Sequence, residues 1–206
     1  MIAYPYKNNV YLNITNRCTM SCTYCIRTKW NWDYRGHNLR LKKEPTAKEI
    51  IKEAEALRKK IDFSPLVSDI VFCGYGEPLI RLEVVKKVAA YYKNIDINVR
   101  VNTNGQANLY HGRNICPELK GLIDKICISL NAETAIKYKN VNRPRYGLKS
   151  FNAVLAFAKE CKKYIKDVSI TTVKLEGTDV NKCRAIAKKI GVKFVERPYL
   201  EESEDN

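Results

Sequence analysis

"VYLNITNRCTMSCTYCIRT", residues 10–28, runs from a β-branched apolar stretch into a polar loop that carries Cys18, Cys22 and Cys25. The opening "VYLNIT" reads as a strand. The loop then sets three thiols within eight positions. That is one fewer than a structural zinc or a closed iron–sulfur cluster takes, and one more than a disulfide needs. A strand that runs straight into such a loop suits a parallel α/β fold. There, functional residues collect just beyond the carboxyl ends of the strands.

The rest of the chain keeps that pattern. "TAKEIIKEAEALRKK" (46–60) is predicted helical, with Thr46 and Glu49 spaced as a capping box and Pro45 just before it. Strands are predicted at 68–73, 97–103, 125–130, 168–174 and 192–197, and helices at 81–93, 150–166 and 179–190. Residues 106–123 are less regular. Six strands alternating with helices predict a parallel sheet with right-handed crossovers. Periodicity does not decide whether the sheet closes. The polar, glycine-containing stretches do fall where strands end: "GYGEP" (74–78), "NTNGQ" (102–106) and "SLNA" (129–132).

A chain of 206 residues with 45% hydrophobic residues and interspersed charges is expected to fold. The expectation is one domain over residues 1–200, followed by an acidic, frayed tail at 201–206. No apolar run reaches the ~20 residues that span a bilayer, and "MIAYPYKNNVYLNIT" has no signal-peptide layout. The chain therefore reads as cytoplasmic, with no membrane partner. Clustered thiols in such a compartment more often bind metal than form disulfides. Cys73, Cys116, Cys127, Cys161 and Cys183 are spread singly and read as small buried hydrophobes. The formal charge of +15 favours anionic partners. Residues 26–43 and 137–149 are strongly basic, and the first stretch holds Trp30 and Trp32, so contact with nucleic acid is one expectation.

Three thiolates can hold three irons of a cubane and leave the fourth open for a small molecule. The C-x3-C-x2-C loop after the first strand resembles that of the radical S-adenosylmethionine (SAM) superfamily, including an aromatic, Tyr24, before the last cysteine. "GYGEP" resembles the family's "GGEP" turn after the second strand. "VNTNGQ" (101–106) and "ISLNA" (128–132) resemble the ends of its third and fourth strands.

The resemblance implies a partial (β/α)6 barrel of parallel strands, open on one side. It implies a [4Fe–4S] cluster held by Cys18, Cys22 and Cys25, with SAM bound at the open iron. Reductive cleavage of SAM would give a 5′-deoxyadenosyl radical for hydrogen abstraction from a substrate. Tyr24, Gly74, Gly76, Glu77, Asn102, Asn104, Ser129, Asn131 and Arg143 are the implied SAM-binding positions. No catalytic side chain is assigned. The fifth-strand glycine motif of many relatives has no counterpart in "VSITTVKLEG".

Within the superfamily the chain is most similar to the short TatD-associated proteins, through the "LYLNITNRCT" type of opening, "CIR" and "GYGEPL". The implied partners are an electron donor such as flavodoxin or ferredoxin and, from the subgroup, a TatD-like nuclease or nucleic acid. Substrate recognition is expected from the 26–44 loop, from other loops on that face, or from a partner. Small-molecule or RNA modification leads, with glycyl-radical activation of a protein second. The competing readings are a non-catalytic iron–sulfur protein, or a zinc protein with a distant ligand such as Cys73 or His37. Either would bind nucleic acid. His37 and His111 otherwise read as ordinary polar residues.

Overall fold

A computed structural model describes residues 1–60 and 69–199. The strands are β1 (Ala3–Tyr6), β2 (Asn9–Leu12), β3 (Asp33–Tyr34), β4 (His37–Asn38), β5 (Asp69–Phe72), β6 (Asn98–Thr103), β7 (Lys125–Ser129), β8 (Asp167–Val173) and β9 (Lys193–Arg197). The helices are α1 (Ile26–Lys29), α2 (Ala47–Lys60), α3 (Leu82–Lys93), α4 (Ala107–His111), α5 (Ala135–Asn142), α6 (Lys149–Cys161) and α7 (Val180–Ile190). Short 3-10 turns cover Pro78–Arg81 and Cys116–Leu119.

Seven strands form one sheet in the order β1-β2-β5-β6-β7-β8-β9. The six from β2 onward are parallel, as the alternation predicts, and the sheet stays open between its two edges. The difference is β1, which pairs antiparallel with β2 and pairs Tyr4 with Tyr11. "AYPY" is short and contains proline, so it carries no strand pattern; proline is tolerated there because the strand is an edge. Ser68, the first residue of one predicted strand, and the 201–206 tail lie outside the described residues. The predicted capping box is present: Thr46 N–H donates to Glu49 Oε2 at 2.7 Å, and Glu49 N–H to Thr46 Oγ1 at 3.2 Å.

Strand alternation divides the sheet into two unlike faces. Val10, Leu12, Ile70, Phe72, Val99, Val101, Ile126, Ile128, Val168 and Ile170 project to the convex side. There they are buried in one core with residues of α2, α3, α6 and α7. The concave side is aromatic at one edge and polar at the other. Tyr4, Tyr11, Tyr34, Leu39, Val71 and Tyr75 form a second cluster, with Trp30 and Trp32 packed on it. The β3–β4 hairpin thus lays its aromatic residues over β1 and β2.

Asn13 locks this arrangement at the end of β2. It is fully buried, donates from Nδ2 to the carbonyls of Leu39 at 2.7 Å and Met1 at 3.0 Å, and accepts from Tyr75 N–H at 3.4 Å. Asn13→Ala would strand these groups, and a cost of about 2 kcal/mol is expected. Urea unfolding checks this; a loss below ~0.5 kcal/mol would mean that water replaces the amide.

Candidate functional site

The three cysteines sit on the loop from β2 to α1, with Cys25 as the residue that caps α1. The loop is held from three sides. First, the last turn of α5 and the residues after it run along the loop: Thr23 N–H donates to Val141 O at 2.9 Å, Ser21 N–H to Asn142 O at 3.2 Å, and Arg145 N–H to Thr19 O at 2.8 Å. Met20 and Pro144 form an isolated β-bridge. Second, the turn after β5 reaches it through Glu77 N–H, which donates to Arg17 O at 2.8 Å. Third, Asn104, after β6, donates from Nδ2 to Thr19 Oγ1 at 2.9 Å and lies 3.7 Å from Cys18 Sγ.

Glu77 is the bracket between the second and third supports. It is buried, and its carboxylate accepts from Leu79 N–H at 3.0 Å, Thr103 Oγ1–H at 2.8 Å and Asn104 N–H at 2.7 Å. Burial pushes this carboxyl up to about 7, against the pull of those three donors. The two glycines beside it admit the chain's own atoms. A Cβ on Gly76 would stand 2.2 Å from Thr15 O, and one on Gly74 would stand 2.2 Å from Asn13 Oδ1. Their bareness is required by the close approach of the β2 end.

Tyr24 points inward and joins two asparagines. Asn131 Nδ2 donates to the phenol oxygen at 2.6 Å, and the phenol donates to Asn142 Oδ1 at 2.5 Å. Asn131 takes a left-handed φ of 57° and accepts from Val173 N–H at 2.9 Å, tying the end of β7 to β8. Burial holds the Tyr24 phenol well above its ordinary range, so it stays neutral. Cys22 Sγ lies 3.8 Å from Asn142 Oδ1, and burial pushes its thiol up to about 12. Cys18 is raised by the same cause, although that residue is exposed and water offsets part of the push. A metal taken up here must displace these protons.

Cys18, Cys22, Tyr24, Gly74, Gly76, Glu77, Asn104 and Asn131 are thus knit together with Cys25 at the carboxyl ends of β2, β5, β6 and β7. Arg143 contributes backbone: it has a φ of 43°, its carbonyl accepts from Ser21 N–H, and its side chain is exposed. Asn102 and Ser129 lie apart from the loop, on the concave face. Thr19, Thr103 and Asn142 are supports of the loop that motif reading missed. Asn142 stood inside the quoted basic stretch, marked only by the Arg-Pro that follows it.

The single cysteines divide. Cys116, Cys161 and Cys183 are fully buried, as predicted. Cys73 and Cys127 are half-buried on the concave face, because strand alternation turns them away from the helices. His111 bonds Leu79 O at 2.8 Å, and His37 lies in β4 beside the Tyr4 ring. Among the described residues, no three His, Cys, Asp or Glu side chains converge to hold a single metal ion. The thiols of one loop, backed by neutral polar groups, fit a cluster that spreads its ligands over several irons.

Between pH 4.5 and 7 the folded chain holds the Glu77 proton more tightly than the unfolded chain does. Its contribution to stability is whole below that window and is lost as pH rises through 7. Glu77→Gln in the metal-free protein should remove that part of the fall in Tm between pH 5 and 8. An unchanged Tm–pH curve would show that the carboxylate stays ionised throughout.

Comparison with known proteins agrees with this geometry. An uncharacterized protein of Methanocaldococcus jannaschii is 29% identical over 184 residues, covering 87% of this chain and 52% of its own. The GTP 3′,8-cyclase of Lactiplantibacillus plantarum is 30% identical over 136 residues, covering 65% of this chain and 36% of its own. A proposed glycyl-radical enzyme activating enzyme of Methanocaldococcus jannaschii is 29% identical over 164 residues, covering 79% and 59%. The chain therefore spans between about a third and three-fifths of these relatives' lengths. In fold it is similar to the structure of TYW1 with a lysine–pyruvate adduct bound, with a TM-score of 0.66 at 15% identity, covering 96% of this chain and 67% of that one. The family model for the radical SAM superfamily matches residues 12–190, and the chain belongs to that enzyme superfamily.

Proposed function

We propose that Cys18, Cys22 and Cys25 hold one [4Fe–4S] cluster, and that the protein cleaves SAM reductively to abstract hydrogen from its substrate. The cluster, when bound, supplies the electron and an open iron for SAM. The observation that carries this reading is the knit of the cysteine loop to the ends of β5, β6 and β7 through Glu77, Asn104 and Asn131. Glu77 and Asn104 keep Cys18 in place. Tyr24, neutral and bonded on both sides, fixes the span between Cys22 and Cys25. Asn131, Gly74 and Gly76 at the neighbouring strand ends, and Arg143 at the end of α5, are the positions for SAM.

The electron donor would be a small carrier such as flavodoxin or ferredoxin. Small-molecule or RNA modification is the leading reaction class. The relative that cyclises GTP and the structural neighbour that holds a lysine–pyruvate adduct both support a compact organic substrate. Activation of a glycyl-radical protein is the second reading, favoured by the similarity to the proposed activating enzyme. Membership of the TatD-associated subgroup, with a TatD-like nuclease as partner, rests on "CIR" and "GYGEPL".

Anaerobic reconstitution with iron and sulfide, followed by reduction and addition of SAM, tests the core of this reading. About four irons per chain and reductant-dependent 5′-deoxyadenosine are expected. Zinc in their place would overturn it. Cys18→Ala, Cys22→Ala and Cys25→Ala should each lose at least ~100-fold in SAM cleavage. Cys73→Ala and Cys161→Ala should keep their iron; cleavage surviving in any of the first three, or iron lost in either of the last two, would redraw the ligand set.

A further inference from the structure

Arg17, Arg27 and Arg81 stand about the base of the cysteine loop, and they differ in how their charge is answered. Arg17 pairs with Glu44 at 2.7 Å, and Arg81, which donates to the carbonyls of Ile14 and Pro45, lies 3.4 Å from the same carboxylate. Arg27 has no ion pair among the described residues. Its Nη1 donates instead to Asn16 O at 3.0 Å and reaches Tyr75 O at 3.4 Å. The guanidinium thus joins the residue two places after Cys25 to the residue two places before Cys18, and ties both to the turn after β5.

An indole holds the same group. The Arg27 guanidinium lies 5.1 Å from the centre of the Trp32 ring, which in turn meets the Tyr75 ring edge-on at 6.1 Å. The backbone bends to bring that ring here: Asn31 and Trp32 take left-handed φ values of 45° and 67°, and φ above zero is unusual for a side chain as bulky as tryptophan. Trp32 N–H then donates to the carbonyl of Arg27 itself at 2.9 Å, and Trp32 O accepts from Leu39 N–H at 2.9 Å. Ring and guanidinium are fixed to each other through the hairpin. Carbonyl oxygens and an aromatic face attract a cation without cancelling its charge. Half-buried and so held, Arg27 keeps a whole positive charge against the loop, less screened than one in open water.

We infer that Arg27 positions the cysteine loop and tunes the reduction of its cluster. It closes the loop from both ends and sets beside it a cation that favours the extra negative charge gained on reduction. A fixed cation next to a site that takes up one electron raises the reduction potential of that site. The inference rests on the proposed function, in which Cys18, Cys22 and Cys25 hold the cluster. The β3–β4 hairpin acquires a task besides covering β1 and β2: it seats the ring that keeps Arg27 in place.

Redox titration with dithionite, followed by electron paramagnetic resonance on reconstituted protein without SAM, tests this. At the wild-type midpoint, the ratio of reduced to oxidised cluster in Arg27→Gln should fall ~10-fold, a shift of about 59 mV for one electron. Arg27→Lys keeps the charge and should stay near the wild type. Lys29→Gln removes an exposed cation from the same helix and should leave the potential unmoved, because water screens that charge. Trp32→Leu keeps the Arg27 cation but frees it, and its potential should fall partway; it carries the test if Arg27→Gln takes up too little iron to titrate. An unmoved potential in Arg27→Gln and Trp32→Leu, or an equal fall in Arg27→Lys or Lys29→Gln, overturns the inference, with thermal melts confirming that each variant folds. A wild-type chain without a reducible cluster would overturn the proposed function and this inference together. A normal cluster whose potential ignores Arg27 would overturn this inference alone.

Discussion

One carboxylate holds the upper face of this molecule together. Glu77 follows the second parallel strand, yet its oxygens are spent on the third: on Thr103, on the backbone of Asn104, and on Leu79 at its own helical turn. Its backbone N–H, meanwhile, meets the carbonyl of Arg17 in the cysteine loop. A carboxylate here carries a desolvation cost, and the convergence of three N–H and O–H groups offsets it. Asn104, placed by that bond, carries the constraint on to Thr19 and Cys18.

The sheet below divides its labour by alternation. Residues facing outward are aliphatic and buried under helices, and they supply the hydrophobic stability of the domain. Residues facing inward carry charge, amides, thiols and hydroxyls, which contribute little to stability and would weaken an ordinary two-sided sheet. Aromatic packing of the β3–β4 hairpin covers only the β1–β2 edge. A parallel sheet is normally covered on both faces. That this one leaves half of a face polar and half-open is the structural mark of a working surface.

Much of this is legible in the sequence. The six parallel strands announced themselves because each is a β-branched run bounded by polar turns, and the cysteine spacing with "GYGEP" marked the site. What stayed hidden had weak local signals. Strands β3 and β4 are two residues each, and α5 buries only Tyr138 and Asn142, leaving almost no periodic face to read. The glycines are conspicuous in the sequence, but only three dimensions show how closely Thr15 and Asn13 approach them. Asn102 and Asn104 look equivalent two positions apart. The end of β6 between them sends one to the loop and leaves the other on the sheet.

The clamp from Val141 to Arg145 grips the cysteine loop through main-chain groups at Ser21, Thr23 and Thr19. Such a grip is indifferent to most side chains but strict about spacing. Substitutions at Ser21 or Thr23 that keep the backbone path leave these bonds intact, whereas one residue added between Cys18 and Cys22 would throw every later bond out of step. The loop is thus tolerant in composition and intolerant in length. The distance between its cysteines is guarded by the end of α5 and the residues after it as much as by the chemistry of the thiols themselves.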